Sequence, residues 1–556
     1  MNNKAKEWFE AKNLEESLKK QLNSYTEEQL NDAFYTDISF GTGGMRGVIG
    51  AGTNRMNIYT LRRANYGYGQ VLLAHYKKPS VAIAYDPRHK SLDFAKDSAC
   101  VLATLGIKVY LFDKITPTPE LSFAVRFLKA SGGIVVTASH NPPEYNGYKI
   151  YDHTGCQYVP ELVEEVIREI DKAPGYFEIE PKSYDELVKE GMIEIVGAKI
   201  DQAFLDAVKG IQVKKDAKKE IKIVFTPLHG TSGYLGRKLL TDLGYDFVCV
   251  EEQMIPDANF TTVKSPNPEN ASAFELAIRY AKKANADLVI ATDPDADRLG
   301  IAVLDNGEYH FLTGNQTGAI LINYLCKFRL YKDAKLFNTI VTGDLGAKIA
   351  KKHGIPTVST LTGFKYIGEQ ARLLEGTSTK FFFGYEESYG YVIGDFVRDK
   401  DSLQAITMIS EAANYYHSIG KTLVQVLNEL FEEYGYHKED LVNIGLAGEE
   451  GAKKIGRIID HFRHHNPECF DIAIKEDYEL RVRLDYINHK EEALTLPVSN
   501  VVKFILKDGS WFVLRPSGTE PKMKVYIACV GKNQEDALNK VASIKENVMK
   551  IVEGIE

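Results

Sequence analysis

The sequence predicts an α/β protein: three similar α/β domains with mixed sheets, followed by a smaller α+β domain at the C-terminus. Apolar, β-branched runs alternate with helical patterns, the mark of α/β layering. The alternation recurs three times, and each time a second strand empties into a polar loop. From about residue 435 the pattern changes to strands around a glycine-containing loop and one amphipathic helix. A length of 556 residues leaves room for about three to five domains.

Residues 4–37 read as helix, with a break near Asn23-Ser24. Thr26 and Gln29 make a capping box for the second piece. This segment reads as a surface addition. Next comes Phe40-Gly41-Thr42-Gly43-Gly44-Met45-Arg46-Gly47. Its glycines mark a backbone bent where side chains would obstruct. The run is either a tight turn or a phosphate-facing loop with Arg46 as its charge; it is not a Walker A loop, which needs Gly-Lys-Ser/Thr.

The first repeat opens on Val81-Ala82-Ile83-Ala84-Tyr85 and ends with Ile134-Val135-Val136 running into Ser139. The second opens on Ile221-Lys222-Ile223-Val224-Phe225 and ends with Leu288-Val289-Ile290-Ala291 running into Asp293. The third opens on Lys335-Leu336-Phe337-Asn338 and ends with Phe381-Phe382-Phe383 running into Glu386. Strand ends of this kind are where open α/β sheets bind ligands. In the last portion, Trp511-Phe512-Val513-Leu514 and Val525-Tyr526-Ile527-Ala528-Cys529 read as strands. Ala537, Leu538, Val541, Ile544, Val548 and Ile551 recur at helical spacing. The polar stretch Gly448-Glu449-Glu450-Gly451 is expected in the connection to this domain. The expected domains are 1–205, 206–318, 319–434 and 435–556.

Composition narrows the function classes. Hydrophobic residues are 44% and charged residues 26%, an ordinary globular balance with ample core. A net charge of -8 without a long basic block argues against a nucleic-acid partner. The start, Met1-Asn2-Asn3-Lys4-Ala5-Lys6-Glu7-Trp8, lacks the apolar core of a signal peptide. No apolar run reaches membrane-spanning length, so no membrane partner is expected. The six cysteines are scattered without a C-x-x-C pair. They read as free thiols in a reducing compartment, and the expected location is cytoplasmic.

Four stretches carry chemistry. In Thr137-Ala138-Ser139-His140-Asn141-Pro142, Ser139 is a structural loop serine, a nucleophile or a covalent phosphate carrier, and no Gly-x-Ser-x-Gly elbow surrounds it. Asp293-Pro294-Asp295-Ala296-Asp297-Arg298 offers hard oxygen ligands to Mg²⁺ or Ca²⁺. An EF-hand fails, because Arg298 stands where glycine is needed and Leu304 where a bidentate Glu belongs. Few protein ligands and open positions suit Mg²⁺ with a phosphate oxygen. Gly384-Tyr385-Glu386-Glu387-Ser388 suits sugar hydroxyls, although a capping loop uses similar residues. Arg515-Pro516-Ser517-Gly518-Thr519-Glu520-Pro521-Lys522 makes a plausible phosphate cradle. Lys149, His140 and Arg88 lie near Ser139 in sequence or in the same predicted domain.

These stretches, together with the glycine-rich run, resemble the signatures of the α-D-phosphohexomutase superfamily, in its phosphoglucomutase/phosphomannomutase branch. They stand in the family's order from about Phe40 to the C-terminal domain. The resemblance implies an isomerase with four domains around one central cleft. It implies interconversion of glucose 1-phosphate and glucose 6-phosphate through a phosphoserine and a bisphosphorylated sugar. Ser139 is then the phosphoserine, and Ser139, Asp293, Asp295 and Asp297 are the Mg²⁺ ligands. Glu386 and Ser388 contact sugar hydroxyls, Thr362 and Gly363 orient the sugar, and Arg515, Ser517, Gly518 and Thr519 hold the substrate phosphate. Arg46, His140, Lys149, Arg298 and Lys400 match charged active-site positions, with Arg298 on the substrate and Lys149 and Lys400 the proton-transfer candidates. The implied cofactors are Mg²⁺ and a sugar 1,6-bisphosphate, and the implied partner is a small phosphosugar. The oligomeric state stays open between monomer and homodimer.

Tyr385 departs from the commoner Gly-Glu-x-Ser pattern. That form resembles a branch holding some bacterial phosphoglucomutases and the animal phosphopentomutases. Phosphopentomutase and phosphomannomutase therefore remain alternatives, with the Tyr385 loop as the first place to look for substrate choice. A haloacid-dehalogenase-type phosphatase using Asp293 and a non-catalytic sugar-phosphate binder are the remoter ones.

Overall fold

The computed structural model describes residues 3–41, 44–446, 448–517 and 522–555. They form two compact units: Met1–Phe337 with Gly363–Leu423, and Asn338–Thr362 with Val424–Glu556.

The first sheet of the first unit comprises β1 (Met45–Val48), β2 (Ser80–Tyr85), β3 (Lys108–Phe112), β4 (Gly132–Val136), β5 (Tyr145–Asp152) and β6 (Ile193–Val196). Their order is β1-β5-β4-β2-β3-β6. Strand β2 runs parallel to β3 and β4, whereas β5 is antiparallel to both β4 and β1, so the sheet is mixed. Alternation along the strands divides the core. Val81, Ile83, Ile134 and Val136 enter one cluster, and Ala82, Ala84 and Val135 enter another on the opposite face. Both faces are covered, so these strands read as unbroken apolar runs.

The second sheet holds β7 (Lys222–Thr226), β8 (Asp246–Cys249), β9 (Leu288–Thr292), β10 (Leu299–Asp305) and β11 (Glu308–Leu312), in the order β11-β10-β9-β7-β8. Further strands are β12 (Ala334–Thr339), β13 (Thr357–Thr360), β14 (Lys380–Glu386) and β15 (Gly390–Val392). One arrangement is used three times. Strand β2 pairs parallel with β4, which turns back antiparallel as β5. Strands β7, β9 and β10 repeat this, and so do β12, β14 and β15. Strand β14 runs on through Glu386, so Glu386 ends a strand and does not sit in the loop beyond it.

The N-terminal segment differs from the expected two-piece helix. It forms three helices, Asn3–Glu10, Glu16–Ser24 and Glu27–Phe34. The Thr26–Gln29 capping box is present. The additional break comes from Tyr59, whose hydroxyl donates to Asn13 O at 2.7 Å and accepts from Glu15 N at 2.8 Å. Trp8 is fully buried and meets Phe34, Tyr59 and Phe177 edge-on, so the segment has an aromatic core with the first domain.

In the second unit, β16 (Tyr436–Gly445), β17 (Ile472–Asp477), β18 (Val482–Asp485), β19 (Lys490–Ala493), β20 (Val502–Leu506), β21 (Trp511–Pro516) and β22 (Lys522–Gly531) form one sheet. It is antiparallel throughout, in the order β16-β22-β21-β20-β17-β18-β19. Phe462, from the helix Gly448–His464, and Val541 and Val548, from the helix Gln534–Gly554, enter its core. Residues 448–451, expected in a connection, begin the first of these helices. Leu538, expected on the apolar stripe of the second, is 45% exposed. The buried stripe is Ala537, Val541, Ile544, Val548 and Val552, and Leu538 lies about 100° round from Ala537. Among the described residues no helix is long and apolar enough to cross a membrane.

Candidate active site

The three repeats bring their strand ends together within the first unit. Ser139 follows β4, Asp293 follows β9 and Glu386 ends β14. Ser139 is buried and has φ of 51°, a left-handed conformation unfavourable for a residue with a side chain. Its surroundings hold it there. Ser139 N donates to Thr137 Oγ1 at 2.8 Å. The Arg88 guanidinium donates to the carbonyls of Ser139, Asn141, Pro142 and Tyr145. Arg88 is paired with Asp86 at 3.2 Å and lies 5.0 Å from the Phe260 ring. One arginine thus bonds to four carbonyls, three in the loop and one at the start of β5.

The side chain of Ser139 faces the acidic loop. Its Oγ donates to Asp293 Oδ2 at 2.7 Å and lies 3.2 Å from His140 Nδ1. Burial, followed by the charges of Arg298 and Arg46, pushes the His140 imidazole well below its usual pKa.

Asp293, Asp295 and Asp297 are all buried, and one carboxylate oxygen from each lies within 4.8 Å of the others. Lys149 Nζ donates to Asp295 Oδ2 at 3.0 Å and to Asp297 Oδ2 at 3.5 Å. Lys400 Nζ lies 3.0 Å from Asp297 Oδ2 and donates to Asp399 Oδ1 at 3.1 Å. Burial alone would lower the Lys149 pKa, but Asp295 and Asp297 outweigh it and the pKa is raised. Lys400 is raised likewise, through Asp297 and Asp399. Both side chains are thereby favoured as ammonium groups. Asp293, with burial and two like charges against it, is raised well above the carboxylate range.

Asp295 Oδ1 and Asp297 Oδ1 are buried and receive no hydrogen bond from any described residue. Two unpaired hard oxygens beside a third carboxylate fit a divalent cation such as Mg²⁺ or Ca²⁺. The acidic triad can hold a metal ion.

The remaining expected residues divide. Glu386 is buried and accepts from Gly363 N at 2.9 Å. Burial raises its pKa above the usual value. Ser388 is half-buried in the turn after β14. Arg46 is exposed and donates to Asn141 Oδ1 at 2.9 Å. Arg298 donates to Glu269. Tyr385 points away from the side taken by Glu386. It is fully buried beside Phe383, and a Cβ on Gly318 would come within 2.6 Å of its ring. Alternation along β14 places neighbouring side chains on opposite faces, so Tyr385 is a core residue. Thr362, Arg515 and Ser517 belong to the second unit. Arg515 stands opposite Lys524 in the β21–β22 ladder, and Ser517 N donates to Lys522 O at 2.7 Å. Thr42, Gly43, Gly518 and Thr519 lie outside the described residues.

Residues not singled out from the sequence also reach the site. Thr118, the first residue of the helix Thr118–Phe127, donates from Oγ1 to Asp295 Oδ2 at 3.1 Å, and from its amide to Asp295 O at 2.9 Å. Tyr151 donates to Asp399 Oδ2 at 2.7 Å. Lys365 is buried in the first turn of the helix Phe364–Leu373, beside Gly363. The Thr-Pro pair at 118–119 signals a helix start, but nothing in the sequence points that start at Asp295.

Comparisons with known proteins show the family. Residues 37–176, 202–307 and 313–434 match alpha/beta/alpha domains I, II and III of the phosphoglucomutase/phosphomannomutase family, and residues 473–542 match its C-terminal domain. The chain is 38% identical to a phosphoglucomutase of Staphylococcus haemolyticus, covering 89% of this chain and 91% of the relative. It is 36% identical to one of Staphylococcus saprophyticus, over 95% and 97%. Among solved structures, a putative phosphomannomutase from Thermus thermophilus shares the fold with a TM-score of 0.69 at 23% identity, over 93% of this chain and 100% of that one. The open form of parafusin, a phosphoglucomutase from Paramecium, matches with a TM-score of 0.69 at 17% identity, over 93% and 96%. With four domain matches in order and relatives aligned over nearly the whole length, the chain belongs to the phosphoglucomutase/phosphomannomutase family.

Proposed function

We propose that this chain is an isomerase that interconverts glucose 1-phosphate and glucose 6-phosphate through a phosphoserine at Ser139. The observation that carries the reading is the seryl hydroxyl, set in a left-handed turn and aimed at a buried acidic triad. The relatives named phosphoglucomutase, aligned along most of the chain, support the choice of substrate.

In the forward direction the phosphorylated Ser139 gives its phosphoryl group to the 6-hydroxyl of glucose 1-phosphate. The bond from phosphorus to Oγ breaks as the bond to O6 forms. The hydroxyl proton passes to His140, which sits beside Oγ and hands it to the departing seryl oxygen; the return transfer runs the same proton exchange in reverse. The glucose 1,6-bisphosphate turns over within the site and returns its other phosphoryl group to Ser139, leaving glucose 6-phosphate. Lys149 and Lys400 offset charge on the transferring group as ammoniums. Asp293, Asp295 and Asp297, with the seryl group, would hold Mg²⁺, which supplies further positive charge to that phosphoryl group.

Arg46 and Arg298 bind phosphate or sugar oxygens, Glu386 and Ser388 bind sugar hydroxyls, and Thr362 and Gly363 orient the sugar. Arg515, Ser517, Gly518 and Thr519 form the cradle that grips the non-reacting phosphate in either orientation. With limits at 1–205, 206–318, 319–434 and 435–556, each domain contributes one of these loops. A cytoplasmic location suits the free thiols, and a sugar 1,6-bisphosphate serves as activator.

The test is a mutase assay with Mg²⁺ and trace sugar bisphosphate on glucose, mannose, ribose and deoxyribose 1-phosphates. Glucose 1-phosphate is expected to be preferred. Ser139→Ala is expected to abolish turnover while unfolding at the wild-type temperature. Turnover at the wild-type rate in that variant would overturn the phosphoserine assignment, and a preference for the pentoses would replace the substrate.

A further inference from the structure

Asp297 and Arg298 are adjacent in the chain and opposite in charge, yet they do not close on each other. Asp297 Oδ1 is buried and receives no hydrogen bond from the described residues; Arg298 Nε is buried and makes none. The two atoms are 3.8 Å apart, beyond hydrogen-bond length. Complementary buried groups left open at this distance require something that keeps them apart.

Glu269 does so. Its Oε1 accepts from Arg298 Nη1 and draws the guanidinium away from the acidic loop. The segment carrying it is stiff. Pro266 and Pro268 restrict its backbone. Glu269 N donates to Asn267 Oδ1 at 3.1 Å, and Asn270 N donates to Asn267 O at 3.0 Å. Behind it, a Cβ on Gly300 would come within 2.5 Å of Pro268 O, so the segment lies hard against β10. The backbone of Arg298 is fixed as well, by its amide donating to Asp293 Oδ1 at 2.9 Å and by its bridge to Gly390. Only the Arg298 side chain is left to move.

We propose that Glu269 is a positioning residue that holds the Arg298 guanidinium off Asp297 and thereby keeps Asp297 Oδ1 open to a divalent cation. The proposal rests on the acidic triad being the cation site. Without the Glu269 carboxylate, Arg298 Nε closes on Asp297, and an entering cation must first displace a guanidinium.

The experiment measures Mn²⁺ binding to the full chain by electron paramagnetic resonance, with no sugar phosphate present. Thermal unfolding of each variant confirms that it is folded. Glu269→Gln is expected to bind Mn²⁺ about tenfold more weakly, the size of effect that partners of metal ligands exert. Glu269→Asp, which keeps the charge on a shorter stem, is expected to fall between Gln and the wild type. Replacing the guanidinium as well, in Glu269→Gln with Arg298→Met, is expected to restore affinity to within about twofold of the wild type. Unchanged affinity in Glu269→Gln overturns the proposal. So does a double variant as weak as Glu269→Gln, since the loss would then not run through Arg298. Unchanged binding in Asp297→Asn is a different failure: it removes the cation site itself, and with it both the proposal and that part of the functional reading.

Discussion

Thr118 and Glu120 stand two residues apart at the start of one helix, and each meets a buried acidic group. Thr118 donates to Asp295, in a triad flanked by two buried ammonium groups at 3.0 Å. Glu120 meets a different neighbour. No donor among the described residues reaches either of its oxygens. The charge that acts on it most strongly is the like charge of Asp201. Lys114 donates to Asp201 at 2.5 Å, but its side chain is about a third exposed. Burial, then the Asp201 charge, pushes Glu120 well above the carboxylate range. Lys149 and Lys400 favour the charged forms of Asp295 and Asp297, whereas burial and a neighbouring like charge push Asp293 and Glu120 toward the protonated form.

The hardest test of the contrast removes a cation from the triad. Lys149→Met leaves Asp295 without its ammonium partner inside the protein. Breaking a buried ion pair from one side is expected to cost about 3 kcal/mol, read as a lower urea midpoint at unchanged slope. A midpoint equal to the wild type would show that the triad does not depend on Lys149, and the contrast would fail.

The second test addresses Glu120 and has a definite sign. The folded pKa lies above the ordinary value of 4.5. Between the two the folded chain binds one proton more than the unfolded chain, so this group contributes stability below about pH 4.5 that is lost as pH rises. Glu120→Gln has no such proton to lose. Its stability relative to the wild type is expected to grow as pH rises above 4.5, by up to about 1.4 kcal/mol per pH unit for as long as Glu120 stays protonated in the wild-type fold. Parallel stability curves from pH 4.5 to 7 would show Glu120 to be charged in the fold.

Neither acidic group was equally plain in the sequence. The Asp293–Asp295–Asp297 spacing announces itself, because three carboxylates at alternate positions after an apolar run have few other uses. The three strand pairs were visible for a similar reason: β-branched runs such as 134–136 and 288–291 are local signals. Glu120 and Asp201 lie 81 positions apart in number, and Thr118 meets Asp295 across 177 positions, so only the assembled sheets bring them together. Glu269 was silent for the same reason, since its partner Arg298 is 29 positions on. Tyr385 stood out only as a departure from the commoner pattern; strand alternation turns it into the core against Gly318. The helix break at residues 11–15 was invisible because the agent that makes it, Tyr59, belongs to another helix.

The smallest effect falls on Lys114, and it decides how far the contrast reaches. Lys114→Met removes the one ammonium among the described residues that touches the second acidic group, yet water already reaches that ammonium. A screened pair is worth little, so the expected cost at pH 7 is about 0.5 kcal/mol. The measurement is again urea unfolding, at pH 7. A loss near 3 kcal/mol at pH 7 would mean that Lys114 serves Asp201 as Lys149 serves Asp295. The second group would then be a charged pair with a proton shared beside it, and the difference between the two would be one of exposure and not of kind.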